Sequence, residues 1–266
     1  MDKEIMKLDN VGLIYQSKNG ETEAVKNFSL SVKEGDFVAI VGPSGCGKTT
    51  MLSIMSGILK PTSGKVFIGG KNIYESKTYI GYMFQKDELF EWRTVWQNIM
   101  LGLEIKKQNT SKQQEYAKKL IEKYGLIDFV NKKPRELSGG MRQRVALIRT
   151  LVLMPQILLL DEPFSALDFQ TRLSVCDDVY NIIKNEHKTA ILVTHDISEA
   201  ISMADKVIVL TKRPATIKKI RKINIKGETP LKRRESPDFS LEFNNIWKEL
   251  DRWTKEEKFH KQDNNI

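Results

Sequence analysis

At 266 residues, with 40% hydrophobic and 29% charged side chains, the chain is long enough to bury one sizeable core and too ordinary in composition to be disordered or fibrous. Its longest apolar run, Val145 to Leu160, is broken by Arg149 and Pro155 and falls short of the roughly 18 residues that a membrane-spanning helix needs, and the amino terminus lacks a secretory pattern. The 2 cysteines, Cys46 and Cys176, have neither disulfide-framework density nor metal-ligand spacing and are expected to be free thiols, while the net charge of +9 leaves nucleic acid, an anionic membrane surface or a simply basic protein open.

Ile5 to Tyr15 and Phe28 to Val32 have strand-like spacing and predict an antiparallel opening, with the polar patch from Ser17 to Glu23 between the strands. Phe37 to Val41 is a short apolar run that ends in a glycine-rich loop, and Thr49 to Ile58 continues as a helix until Pro61. Lys65 to Ile68 and Tyr79 to Phe84 predict further strands. From Thr94 to about Lys133 the apolar residues, among them Leu120, Ile121 and Tyr124, recur at helical spacing, which predicts an inserted helical subdomain over about 90–137. Leu158 to Leu160, Ala190 to Val193 and Val207 to Leu210 are continuous apolar runs, as parallel strands covered on both faces require. Phe239, Phe243, Ile246, Trp247, Leu250 and Trp253 recur at helical spacing in a terminal amphipathic helix, followed by a polar tail from Lys255 to Ile266 that is expected to fray. The domain expectation is therefore 1–235 for the main body and 236–266 for the terminal helix and tail.

The run Gly42-Pro43-Ser44-Gly45-Cys46-Gly47-Lys48-Thr49, with Thr50 behind it, fits the phosphate-binding pattern G-x-x-x-x-G-K-[ST] between a strand and a helix. Glycines let successive N–H groups curl toward phosphate oxygens, Lys48 can reach the outer phosphates, and the Thr49 hydroxyl can ligate Mg2+. That loop alone leaves kinases, GTPases and many ATPases open, all of them users of a nucleoside triphosphate such as ATP with Mg2+. Ile157 to Leu160 followed by Asp161 and Glu162 reads as a buried strand ending in two carboxylates. Asp161 is placed to hold the metal, and Glu162, on the other side of the strand, to polarise the attacking water. Cys46 is a candidate modification site, because a helix amino terminus lowers thiol pKa.

Leu137-Ser138-Gly139-Gly140-Met141-Arg142-Gln143-Arg144 resembles the signature motif of the ABC ATPase superfamily. The other family elements appear in order: Tyr15, Gln85, Ser165-Ala166-Leu167-Asp168 and His195. The resemblance implies an α/β fold, a P-loop NTPase (RecA-like) core with an antiparallel β subdomain and an inserted α-helical subdomain. It implies that Tyr15 stacks on adenine, that Gln85 approaches Mg2+ and senses a membrane partner, and that Glu162 is the catalytic base. It further implies that His195 contacts the terminal phosphate and that Asp168 belongs to the nucleotide site. Ser138 and the N–H groups of Gly139 and Gly140 would hold the terminal phosphate of a second subunit, so that two nucleotides are sandwiched in a head-to-tail dimer with a copy of the chain or a homologous one.

Leu89 to Val95, with Asn98-Ile99 and Leu101 to Glu104, and Lys212-Arg213-Pro214-Ala215 followed by Ile217, Ile220, Ile223 and Ile225, resemble motors of the nitrate, sulfonate and taurine importer group. That resemblance implies import of a small solute, either an anionic sulfonate, nitrate or taurine-type substrate or a vitamin precursor, with a separate transmembrane permease, indirectly a substrate-binding protein, and a peripheral place on the cytoplasmic side of the membrane, with no nucleic acid. The alternative is a soluble ABC ATPase acting on the ribosome or DNA. Trp92 is expected either to line a groove for the permease or to pack within the helical subdomain. The basic run from Lys212 to Arg234 is expected to be a solvated face or to meet anionic headgroups.

Overall fold

The computed structural model describes the backbone of residues 3–18 and 20–263, and side chains as far as Asp251. Trp253 and the polar tail thus fall outside the described side chains. The chain divides into two compact units, Met1–Ser76 with Leu192–Ile266, and Lys77–Ile191.

In the first unit β1 (Glu4–Ser17) and β2 (Gly20–Lys33) form a long antiparallel hairpin that closes at Ser17 opposite Gly20. The polar patch predicted as a connection is largely strand, because an outward-facing edge accepts polar side chains: Gly20, Glu21 and Thr22 are exposed. β4 (Ser63–Ile68) pairs with the other side of β1, and β5 (Lys71–Asn72) ends the sheet, in the order β2-β1-β4-β5. Met6, Leu8, Val11, Phe28 and Val32 bury one side of it.

The same unit contains β3 (Phe37–Val41), buried throughout and parallel to β9 (Lys206–Leu210), with β10 (Ile217–Lys222) antiparallel at the edge. The last residues of β8 (Thr189–Thr194) lie beyond β3. α1 (Lys48–Met55) stops one turn earlier than predicted, because Gly57 takes a φ of 76° and turns the chain left-handed after the Ser56 cap.

The short helices α6 (Ile197–Met203) and α7 (Pro230–Arg234) precede the terminal α8 (Pro237–Asp263). α8 lies against α6 and β9, with Ile246 fully buried and Trp247 half exposed. The basic run is solvated in part, with Lys219, Lys222, Lys226 and Lys232 exposed, and in part tied down. Arg221 donates from Nε and Nη2 to one Glu242 carboxylate oxygen at 2.9 Å, Lys218 lies 3.5 Å from Glu249, and Arg233 donates to the carbonyls of Ser202 and Ala204. Three of its cations hold the terminal helices in place.

In the second unit β6 (Ile80–Met83) runs parallel to β7 (Ile157–Asp161), with Tyr82 opposite Leu159, and the first residues of β8 lie beyond β7. The predicted helical region contributes α2 (Val95–Ile105) and α3 (Ser111–Lys123), followed by α4 (Gly139–Leu151) and α5 (Phe169–Asn185). Fully buried Asn98 accepts from the Phe90 N–H at 2.8 Å and donates to the carbonyls of Phe90, Arg93 and Thr94, which fixes the turn into α2. Where α4 meets α5, a Cβ on Gly140 would lie 2.7 Å from Val175 Cγ2, so the close approach needs glycine.

Candidate nucleotide site

On the first unit the loop after β3 is built for an anion. Gly45 and Gly47 take φ values of 71° and 118°, and at Gly47 a side chain would also meet the Ala24 carbonyl at 3.0 Å. Helices α2 to α7 each begin on a side chain that accepts a first-turn N–H: Thr94, Thr110, Ser138, Asp168, Asp196 and Thr229. α1 begins on Gly47, which has no side chain to do so. Its first-turn N–H groups therefore suit phosphate oxygens. Lys48, buried, donates to the carbonyls of Gly42 and Pro43 at 3.0 and 3.1 Å, so its ammonium lies across the loop. These features fit a nucleoside triphosphate.

Around the loop, the Tyr15 hydroxyl is 3.3 Å from Thr50 Oγ1, and the ring is 44% exposed, which leaves a face for stacking. Arg213 donates to the Gly45 carbonyl at 2.9 Å, a contact between residues 168 positions apart that no local pattern announces. Gly42, Pro43, Ser44 and exposed His195 share a cleft of about 480 Å3 with Lys212 and three residues of α8: Trp247, Leu250 and Asp251. The terminal helix thus walls the phosphate end of the loop, which its amphipathic pattern did not foretell.

Cys46 departs from expectation. Its side chain is buried and burial pushes the thiol up, outweighing the Lys48 ammonium and the loop's hydrogen bonds that pull it down. The structure therefore argues against a reactive thiolate there.

On the second unit, Asp161 ends the fully buried β7 and is itself buried, with Oδ2 accepting from the Tyr82 hydroxyl at 3.1 Å. Glu162 lies past the strand end, so strand alternation does not set its direction. Its φ of 45° is a left-handed conformation that costs a non-glycine residue about 1–3 kcal/mol and is found at functional turns. The Glu162 carbonyl accepts from the Ser165 N–H at 3.2 Å and from Ser165 Oγ at 3.0 Å, while Gln85 Nε2 donates to Ser165 Oγ at 3.2 Å. Gln85 is thereby joined to the acidic pair through Ser165. Among the described residues no group of three or more His, Cys, Asp or Glu could cage a metal. One or two carboxylates acting with phosphate oxygens suit Mg2+, which keeps several waters and is seldom caged by protein alone.

At the head of α4, Ser138 Oγ accepts from the Met141 N–H at 3.3 Å, which leaves its O–H to donate elsewhere, and Gly139 and Gly140 open the helix. Asp168 caps α5 by accepting from the Thr171 N–H at 3.0 Å, and the Thr171 hydroxyl, with that N–H second, holds its carboxyl below the ordinary range. Asp87 ties the stretch after Gln85 to α4: it accepts from Arg142 Nε at 3.0 Å, and Arg149 donates to the Asp87 and Glu88 carbonyls. Trp92 is 70% exposed, its ring 4.8 Å from that of Phe90, so it is not packed inside the helical region.

The ABC transporter family model matches residues 25–165. An uncharacterised ABC transporter ATP-binding protein of Bacillus subtilis, YtlC, is 45% identical over 255 residues, covering 95% of this chain and 98% of its own length. The nitrate import ATP-binding protein NrtD of Synechocystis is 37% identical over 240 residues, covering 88% of this chain and 90% of its own. The dimeric ATP-binding cassette MJ0796, solved in a post-hydrolysis state with ADP and Pi, superposes with a TM-score of 0.69 at 34% identity, over 83% of this chain and 99% of the other. With an uncapped phosphate loop on one unit and a paired-carboxylate strand end and signature helix on the other, and with relatives spanning nearly its whole length, this chain belongs to the ABC transporter ATP-binding family.

Proposed function

We propose that the chain is the motor of an importer for a small solute, working on a separate permease fed by a substrate-binding protein. The single observation that carries the motor reading is the phosphate loop whose helix starts without a side-chain acceptor, joined in one chain to the Asp161–Glu162 strand end. Import, rather than work on ribosome or DNA, is supported by the nitrate-import relative, and a sulfonate, nitrate or taurine-type solute is the substrate class proposed, with a vitamin precursor as the second. Among the described residues no helix is long and apolar enough to cross a membrane, which agrees with a peripheral place on the cytoplasmic face.

In this reading residues 1–235 form the ATPase body, with the helical region 90–137 inserted, and 236–266 form the terminal helix and tail. Tyr15 stacks on the base, residues 42–50 hold the phosphates, and His195 contacts the terminal phosphate. Glu162 takes a proton from the attacking water, a task suited to a carboxylate held in a defined turn. Thr49, Asp161 and Gln85 hold Mg2+, which when bound neutralises phosphate charge. Ser138, Gly139, Gly140 and Asp168 serve the nucleotide of a second copy or a homologous chain, a pairing supported by the dimeric state of the similar cassette MJ0796. Exposed Trp92, with half-buried Phe90 beside it, supplies the permease groove.

Cell fractionation tests the partner claim. The full chain is expected in the membrane fraction of cells that hold its integral partners, and to be released by an alkaline wash that leaves integral proteins behind. Recovery wholly in the soluble fraction, with the partners present, would overturn it.

A further inference from the structure

We propose that Tyr82 is a positioning residue for ATP hydrolysis, its hydroxyl setting the orientation of the Asp161 carboxylate toward the metal from the same strand-to-loop segment that carries Gln85. The proposal rests on the reading of Asp161 as the Mg2+ carboxylate. Asp161 is 7% exposed at the end of a strand whose every residue is buried, and the Tyr82 hydroxyl lies 3.1 Å from its Oδ2. The second torsion of aspartate is broad, so a fixed donor on one oxygen narrows the planes that the carboxylate can adopt toward a cation.

Tyr82 is itself held. In the parallel pair it stands opposite Leu159, two residues before Asp161, and its ring lies 4.6 Å from that of Phe84. Three residues further on, Gln85 reaches the Glu162 carbonyl through Ser165. One short segment is thus bonded directly to the Asp161 side chain and, through Ser165, to the Glu162 backbone. The motif pattern points to Gln85 and the carboxylates and is silent on Tyr82, because the contact spans 79 positions and a tyrosine in a strand is unremarkable.

The test is the gain in affinity for a non-hydrolysable ATP analogue when EDTA is replaced by saturating Mg2+, measured by calorimetry on the full chain and on Tyr82→Phe and Asp161→Asn. Phenylalanine keeps the ring against Phe84 and removes only the hydroxyl, and a thermal melt records that the fold is kept. Removing the partner of a metal-ligating group lowers metal affinity by about 10- to 100-fold. Tyr82→Phe is therefore expected to lose about tenfold of the Mg2+-dependent gain with the EDTA affinity unchanged, and Asp161→Asn to lose more. A Tyr82→Phe variant that keeps the whole gain while Asp161→Asn loses it would overturn the positioning role. An Asp161→Asn variant that keeps the gain would instead sink the metal assignment on which it stands. A loss of equal size in EDTA and Mg2+ would make Tyr82 structural only.

Discussion

Cys46 illustrates how a general rule loses to its surroundings. A thiol beside a helix amino terminus is expected to ionise readily, but this one is 1% exposed, and burial raises its pKa despite the nearby Lys48. A higher pKa means less thiolate at any given pH. Alkylation of the native chain by iodoacetamide, followed by mass spectrometry, is therefore expected to be much slower at neutral pH than that of the urea-unfolded chain, and to keep rising with pH beyond the ordinary thiol range. A native rate equal to the unfolded one would contradict the burial. At the same scale, Glu162 is the clearest sign of function that sequence could not supply: its identity was legible, its left-handed backbone was not.

Among elements, α3 and α5 are clasped at one carboxylate. Glu186, the cap of α5, accepts from Lys123 and the Tyr124 hydroxyl at 2.8 Å each and from the Tyr116 hydroxyl at 3.2 Å. Burial alone would raise the Glu186 pKa, but the Lys123 ammonium and the two hydroxyls lower it, while burial pushes Tyr124 up to about 12 and Tyr116 further. A depressed folded pKa stabilises the fold above the unfolded value of 4.5, and that contribution is lost as pH falls from there through the folded pKa. Glu186→Gln is accordingly expected to cost about 1–2 kcal/mol at pH 7, from the loss of charge-assisted hydrogen bonds. In urea titrations the gap to wild type should narrow as pH falls below 4.5; a gap that widens in acid would refute the sign. Elements whose burial repeats along the chain, such as β3, β7 and the helices over 94–133, were legible from spacing alone. The start of β2 at Gly20 was not, because its first residues are polar and exposed. Nor was the role of the basic run, whose partners Glu242 and Glu249 lie on a helix that sequence could place but not dock. The same limit hid Tyr82 and the contacts of Ser165 and Arg213, residues that the motifs contain but for which they name no partner: each acts through a tertiary contact, whereas the phosphate loop and signature are contiguous and carry their chemistry in their spacing.

For the molecule as a whole, the division of residues states what must be tested. The first unit bears the phosphate loop, Tyr15 and His195, and the second bears Gln85, the acidic pair and the signature, so the chain holds one set of each. The central claim is that these residues hydrolyse ATP with Glu162 as base. The measurement that meets it most directly is phosphate release from Mg-ATP by the full chain and by Glu162→Gln, which keeps size and backbone while removing basicity. A general base contributes about 10²–10⁴-fold, so the variant is expected to lose at least about a hundredfold in turnover while still binding ATP. A Glu162→Gln variant that releases phosphate at the wild-type rate would contradict the account.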